Sequence, residues 1–289
     1  MTDPAIDMHH LSGWIGRTAR REELVAPFPS RALAATLDRA DESYEAGTPL
    51  PPLWHWLHFL PVFPLSQAGY DGHEALGGFL PPVPLPRRMW AGGALRFPAP
   101  MRIGRRLVRT STVEDIRHKR GRSGDLVFVT VRHRVHDGDI PGIDETHDIV
   151  YRAPAEQSAA GKPPPAAAAD SAWSREIRPD PVLLFRYSAL TFNGHRIHYD
   201  RDFARGEGYA GLVVHGPLLA TLLLDLLRRE RPGARVTAFS FRARAPVVDT
   251  APFTLHGEPE GTDGARLWVR RGDGALAMEA TATFTSEVS

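Results

Sequence analysis

The amino-acid sequence predicts an α+β fold of two related domains in one chain, each an antiparallel sheet wrapped around a central helix. Three observations carry this expectation. Leu218 to Leu227 is almost uninterruptedly apolar, as a helix surrounded by protein requires. Alternating strand-like segments follow it, separated by Gly and Asp turn signals. Upstream, an alanine- and proline-rich stretch around Lys162-Pro163-Pro164-Pro165 divides the chain, and a weaker series of strand signals lies before it.

Taken in order, Leu53 to Phe63 is rich in aromatic residues and reads as helical up to its prolines. Leu95 to Pro98, Arg106 to Asp115, Asp125 to Val135 and His147 to Arg152 read as strands. Residues 1–152 are thus the first domain, 153–176 the linker and 177–289 the second domain. In the second, Leu183 to Leu190 is strand-like and leads into the polar turn Asn193-Gly194-His195-Arg196-Ile197-His198. Gly211-Leu212-Val213-Val214-His215-Gly216-Pro217 then opens the apolar helix. Pro217 suits a first helical turn because its missing N–H would find no intrahelical acceptor there. Arg228-Arg229-Glu230-Arg231 closes the apolar run and Pro232-Gly233 stops the helix. Arg235 to Ala245, Phe253 to Glu258, Ala265 to Arg271 and Leu276 to Thr285 complete a strand meander, with turns such as Arg271-Gly272-Asp273-Gly274. The halves are not alike in sequence, so the repeat rests on element order.

Composition narrows the function. A chain of 289 residues, 42% hydrophobic, suits two domains of ordinary size with packed cores. A formal net charge of +1 supplies no field to recruit nucleic acid or an anionic membrane. Cysteine is absent, which excludes disulfides and thiolate metal sites and fits a reducing compartment. The segment MTDPAIDMHH carries acidic residues and no apolar run, so it reads as neither signal nor transit peptide. No apolar stretch is long enough to span a bilayer, and the expectation is a cytoplasmic protein. There is no glycine-rich dinucleotide loop, P-loop, zinc-helix motif or nucleophile elbow, so neither a cofactor nor a metal is expected.

The informative stretch is Phe185 to Leu219, FRYSALTFNGHRIHYDRDFARGEGYAGLVVHGPLL. It resembles the MaoC-like (R)-specific enoyl-CoA hydratases, whose pattern runs aromatic-S-x-L-[ST]-G-D-x-N-P-[LI]-H and then [IV]-[IV]-H-G. Tyr187, Ser188, Leu190, Thr191, Ile197 and His198 fall on matching positions, as do Val213, Val214, His215 and Gly216. Asn193 stands where that family has its catalytic Asp, and His195-Arg196 replace Asn-Pro. The wording T-F-N-x-H-R-I-H-Y-D looks like the branch of mesaconyl-C4-CoA and itaconyl-CoA hydratases and mitochondrial-type 3-hydroxyacyl-thioester dehydratases. Gly77-Gly78-Phe79-Leu80-Pro81-Pro82 and Pro86-Arg87-Arg88-Met89-Trp90-Ala91-Gly92-Gly93 in the first half support that branch. The resemblance implies a double hotdog fold and a hydro-lyase acting on a coenzyme A thioester.

On this reading His198 is the general acid–base, since an imidazole exchanges protons near neutral pH without extreme tuning. Asn193 either positions water or substrate through its amide or serves as a left-handed turn residue. Gly216, at the helix entrance, offers an N–H and the positive end of the helix dipole to charge on a thioester oxygen, the alternative being a glycine demanded by packing. His195, Arg196 and His215 are candidate substrate-binding neighbours. Asp200 either orients His198 or caps the following turn, with the cap favoured. Arg242 alternates with Phe239 and Phe241 on a strand and is the candidate partner for a substrate carboxylate, unless that face is solvent-exposed. Basic residues also gather at Arg102, Arg105, Arg106 and Arg109, and at Arg117, His118, Lys119, Arg120 and Arg122; either group could bind coenzyme phosphates, but the second, beside Gly121 and Gly124, better suits a solvated hairpin turn. The first half is expected to supply walls and coenzyme contacts without a catalytic motif of its own. The expected reaction is reversible hydration of an enoyl-CoA thioester with a short branched dicarboxylic acyl group. The alternatives are a 3-hydroxyacyl-thioester dehydratase on CoA or carrier-protein substrates, and a hotdog thioesterase or acyl-CoA binder. A homodimer is possible, with neither nucleic acid nor membrane as partner.

Overall fold

Strands from both halves join in one 10-stranded antiparallel sheet in the computed structural model of the chain, which describes residues 6–39, 43–121, 124–153 and 163–286. The first half supplies α1 (Met8–Ser12), β1 (Thr18–Leu24), α2 (Pro27–Thr36), β2 (Arg87–Arg96), β3 (Arg106–Gly121), β4 (Gly124–Asp137) and β5 (Ile140–Arg152). The second supplies β6 (Trp173–Ile177), α3 (Pro181–Leu190), α4 (Arg201–Gly206), α5 (Gly216–Glu230), β7 (Ala234–Ala243), β8 (Phe253–Glu260), β9 (Gly264–Arg271) and β10 (Leu276–Ser286). Strand order is β1-β3-β4-β5-β2-β7-β10-β9-β8-β6. The halves meet where β2 pairs with β7, from Gly92 opposite Arg242 to Arg96 opposite Ala238. A Cβ on Gly92 would lie 2.6 Å from the Phe241 carbonyl oxygen, so this seam admits no side chain there.

Every residue of α5 from Leu218 to Leu227 is buried. Phe239 of β7, Leu255 of β8, Leu267 and Val269 of β9 and Ala280 of β10 share its core, so the second half wraps its strands around this helix. Each fully buried leucine contributes about 2 kcal/mol of transfer free energy, which makes this helix the organising element of the half. In the first half the longest helix among the described residues is α2, with 10 residues against 15 in α5. The sheet there is covered instead by Leu33 of α2 and by Leu53, Trp54, Leu57 and Phe59. A smaller cluster of Leu11, Val83, Leu85, Val113, Val127, Val129, Val131 and Tyr151 closes its other end. The valines at 127, 129 and 131 show the period of two that puts one strand face into a core.

Some elements differ from the sequence expectation. Leu183 to Leu190 is helical: Asp180 accepts the Leu183 N–H at 2.9 Å and Pro181 occupies the first turn, so a capped start outweighs the strand-like composition. Leu53 to Phe63 forms only a 3₁₀ turn, Trp54–Leu57, preceded by Leu53 at φ 69 and followed by extended backbone. Of the stretch read as a linker, residues 154–162 lie outside the described residues, as does Arg122. The remainder is bound to the strands of the second half: the Leu276 N–H donates to Pro165, the Trp268 indole donates to Ala168, and β6 starts at Trp173. Among the described residues no helix is long and apolar enough to cross a membrane.

Candidate active site

The end of α3 builds the first part of the site. Phe192 turns the chain with a left-handed backbone, φ 49, where the sequence suggested Asn193 would do so. Asn193 shapes the turn by other means. Its N–H donates to the Ser188 carbonyl at 2.9 Å, and its Oδ1 accepts the His195 N–H at 3.0 Å, an Asx turn. The side-chain oxygen expected to hold water is therefore engaged by the backbone, leaving the NH₂ as the group able to reach substrate.

A 3₁₀ turn, Arg196–His198, then delivers His198, which is 7% exposed. Its Nδ1 donates to the Val213 carbonyl at 2.6 Å, which fixes the tautomer and leaves Nε2 with a lone pair. Burial pushes its pKa down to about 4, against the opposing pull of the Val213 carbonyl. His215 stacks on it, with ring centroids 3.6 Å apart and planes at 20°. His215 is itself fully buried, bonds the Ser188 hydroxyl through Nε2 at 2.8 Å, and is held neutral by burial.

The next residue, Gly216, is the first of α5, among the N–H groups a helix leaves without an intrahelical acceptor. A Cβ built there meets nothing within 4 Å, and its φ is not in the left-handed range. Packing does not demand this glycine. The Gly216 N–H lies one residue from the ring that covers His198.

A loop of the first half, absent from the sequence reading, completes the cluster. The Arg196 N–H donates to the Asp71 carbonyl at 2.8 Å. A Cβ on Gly72, whose φ is +88, would lie 2.0 Å from the Gly194 carbonyl oxygen, so only glycine permits this approach. The loop presents His73, whose Nδ1 donates to Asp71 Oδ2 at 2.8 Å while its N–H donates to Oδ1 at 3.0 Å. Burial opposes ionisation of Asp71, but these bonds outweigh it and hold the carboxyl well below the usual range. The His73 ring lies 4.2 Å from that of His195, and His195 meets His198 edge-on at 5.4 Å. His73, His195, His198 and His215 thus form a continuous run of imidazoles, with an ionised carboxylate at one end. Burial and then the neighbouring rings of His73 and His198 push His195 far below the ordinary imidazole range. Local signals for Asp71 and His73 were weak, a bare Asp-Gly turn, because their role arises only through contact between the halves.

The profile of a family described as Htd2, hydroxyacyl-thioester dehydratase type 2, matches residues 53–249, more than half of the chain. The chain belongs to this family. It is 48% identical over 271 residues to a mesaconyl-C(4)-CoA hydratase of Chloroflexus aurantiacus, a match spanning 93% of this chain and 95% of the relative. It is 28% identical over 250 residues to the mitochondrial hydroxyacyl-thioester dehydratase type 2 of Schizosaccharomyces pombe, covering 78% and 81% of the two chains. A Mycobacterium tuberculosis protein solved as a double hotdog superposes with a TM-score of 0.58 at 14% identity, over 94% of this chain and 96% of that one. The fold is a double hotdog.

Within this Htd2-family chain the remaining sequence candidates separate. Arg196 is bound structurally: its guanidinium donates to Asp200 Oδ2 at 2.6 Å and sits 4.6 Å over the Phe203 ring. Asp200 caps α4 by accepting the Phe203 N–H at 3.0 Å, and does not touch His198. Arg242 is not brought to the site. It is exposed on the face of β7 opposite to buried Phe239 and Phe241, because the period of two turns it away from the core. In the basic groups, Arg105 pairs with Asp137, Arg117 with Asp115 and His118 with Asp125, while Arg109 donates to the Phe59 carbonyl at 2.9 Å. The ligand atoms of Asp71, His73 and His195 lie within 4.8 Å of one another, the one cluster among the described residues with spacing that suits a cation. Both Asp71 oxygens already accept from His73.

Proposed function

We propose that this chain reversibly hydrates an enoyl-CoA thioester, with His198 as the proton-transfer group and the Gly216 N–H as donor to the thioester oxygen. The observation that carries the reading is the placement of His198. Its tautomer is fixed by Val213, and Nε2 has no hydrogen-bond partner among the described residues. It lies against His215, the residue that precedes α5. The kinship to a mesaconyl-C(4)-CoA hydratase supports a short branched dicarboxylic acyl group.

In the forward direction Nε2 takes a proton from water as the water oxygen bonds to C3. The π electrons move onto C2 and the thioester oxygen. The negative charge meets the Gly216 N–H and the positive end of α5. The imidazolium then returns its proton to C2, so the atoms of one water are added in all. One histidine performs both transfers, which accommodates an asparagine at position 193. His215 holds the ring plane of His198, and Asp71 with His73 adds an ionised carboxylate nearby that favours transient positive charge on the cluster. The second half carries the chemistry in this reading, and the first closes the site with the Asp71 loop. Run backwards, the same groups dehydrate a 3-hydroxyacyl thioester.

His198→Ala should lower hydration by about a hundredfold or more, the usual cost of losing a general acid–base, with thioester binding retained. Loss of the enoyl absorbance gives the rate. The wild-type kcat/KM should fall along an acid limb near pH 4, not near the ordinary imidazole value, because protonation removes the acceptor only below the lowered pKa. Near-normal turnover in the variant would remove His198 from the mechanism. Thiol release from saturated and unsaturated thioesters alike would mark a thioesterase instead.

A further inference from the structure

Arg242 faces solvent, yet another arginine lies beside the histidine cluster. Arg88 is on β2, directly opposite Tyr151 of β5. Together with Tyr70, Asp71, His73 and Tyr151 it lines a cavity of about 370 Å³. Val83, Leu85 and Leu76 supply apolar walls. Its neighbour Arg87 is paired with Glu207 at 2.8 Å. No carboxylate among the described residues stands within ion-pair distance of Arg88. The residue is half-buried, so this lack of a partner is not explained by free solvation. Tyr151 is 0% exposed; the Arg88 guanidinium approaches its hydroxyl oxygen without an ordinary hydrogen bond, and the hydroxyl proton has no acceptor among the described residues. A buried hydroxyl with a proton to donate and a guanidinium with no carboxylate at ion-pair distance, side by side on adjacent strands and with Asp71 acting on the guanidinium only from farther off, are what an anion would satisfy.

Two carboxylates also line this cavity and do not occupy that role. Both oxygens of Asp71 accept from His73, and Glu74 is exposed to water. The cavity is coupled to the site through His73, which lines it and whose ring lies tilted against that of His195. Arg88 also acts electrostatically on both of these rings, helping to keep them neutral.

The chemistry of a dicarboxylic enoyl thioester gives this placement a purpose. When the free carboxylate is on the carbon β to the thioester carbonyl, it adjoins the carbon that water attacks. Its negative charge resists addition of a nucleophile there, so the cation that recognises it must lie next to the base and must neutralise it. We propose that Arg88, assisted by the Tyr151 hydroxyl, binds the free carboxylate of a short dicarboxylic enoyl-CoA substrate in the cavity bordering His73. This rests on the hydratase reading above and names the residues that set its acyl specificity. An arginine there separates this site from one lined only for a fatty chain.

Affinity for succinyl-CoA and butyryl-CoA, measured by calorimetry, tests this without turnover, because the two differ by a terminal carboxylate against a methyl. Arg88→Met should weaken succinyl-CoA about 10- to 100-fold, the range for removing a charged hydrogen-bond partner, and leave butyryl-CoA unchanged. Arg88→Lys should fall between, since an ammonium keeps the charge and loses the planar fork. Tyr151→Phe should weaken succinyl-CoA alone by a few-fold, and serves if the arginine variants do not fold. Equal losses for both thioesters would mean that Arg88 holds coenzyme phosphates, and would overturn the inference. So would a wild-type protein that does not prefer succinyl-CoA. Discrimination retained without hydration of any enoyl-CoA would sink the proposed reaction and leave this binding site standing.

Discussion

An asparagine in place of a carboxylate alters chemistry only through atoms that remain free, and at position 193 the oxygen is not free. Because Oδ1 accepts the His195 N–H at 3.0 Å, an aspartate would make the same bond with a stronger acceptor. Asn193→Asp should therefore fold normally and keep activity within about tenfold, since one retained hydrogen bond of about 1 kcal/mol is at stake. Its charge favours protonation of the nearby rings, so the acid limb of the rate profile should move to higher pH. Asn193→Ala should lose more activity, with a lower thermal midpoint. An inactive but folded Asn193→Asp variant would show that the amide NH₂ is the required group. The candidates His195, His198 and His215 were legible because they sit in one local stretch with the helix entrance, and the structure does bring these rings together. Asp71, His73 and Arg88 were not, since their meaning comes from β2 and a distant loop meeting that stretch. Arg242 shows the converse: strand alternation was readable, but which face would be inside was not.

At the scale of elements, α5 was plain in the sequence and the role of the one charge inside its apolar run was not. Asp225 interrupts the leucines of that helix and is 1% exposed. It accepts from Arg39 at 2.9 Å, from Arg175 of β6 at 2.8 Å and from Arg229, one turn on, at 2.8 Å. Arg229 also donates to the Leu37 carbonyl at the end of α2, at 2.8 Å. This buried carboxylate thus ties a first-half helix and an edge strand to the central helix. Removing one member of a buried ion network leaves uncompensated charge, here several guanidinium groups at once. Asp225→Asn should lower unfolding free energy by about 3–5 kcal/mol, read from denaturant titration. A loss below about 1 kcal/mol would mean that water reaches the arginines and that the network is not what joins the halves. The helical α3 was hidden for a related reason. Its apolar residues fit a strand by composition, and the decision lay in Asp180 and Pro181 at its start.

At the scale of the whole molecule, the double arrangement was legible from element order, while the merging of the halves into one sheet through β2 and β7 was not, because nothing local distinguishes a seam from an edge. The merged fold buries an unusual number of imidazoles. Burial lowers the pKa of His58, His133, His198 and His215, and His73 and His195 shift the same way with burial as the leading cause. Above the ordinary imidazole pKa of about 6.5, native and unfolded chains both carry these rings neutral, and pH has no leverage through them. As pH falls below that value the unfolded chain takes up protons that the native chain refuses, so unfolding gains. For His198 the native pKa of about 4 makes the full effect roughly 3 kcal/mol, spread over the window from about 6.5 to 4. Asp71 acts only lower, where its carboxyl finally protonates. The thermal midpoint should therefore fall steadily from pH 6.5 to 4.5, well before most carboxylates titrate. Because the groups are buried, the slope should change little between low and high salt, whereas a loss driven by surface ion pairs would be screened. Midpoints recorded across this range at two ionic strengths decide the matter. A flat profile down to pH 5 would show that these rings take up protons in the native state, and that the neutral histidine cluster assigned to the site does not exist in solution.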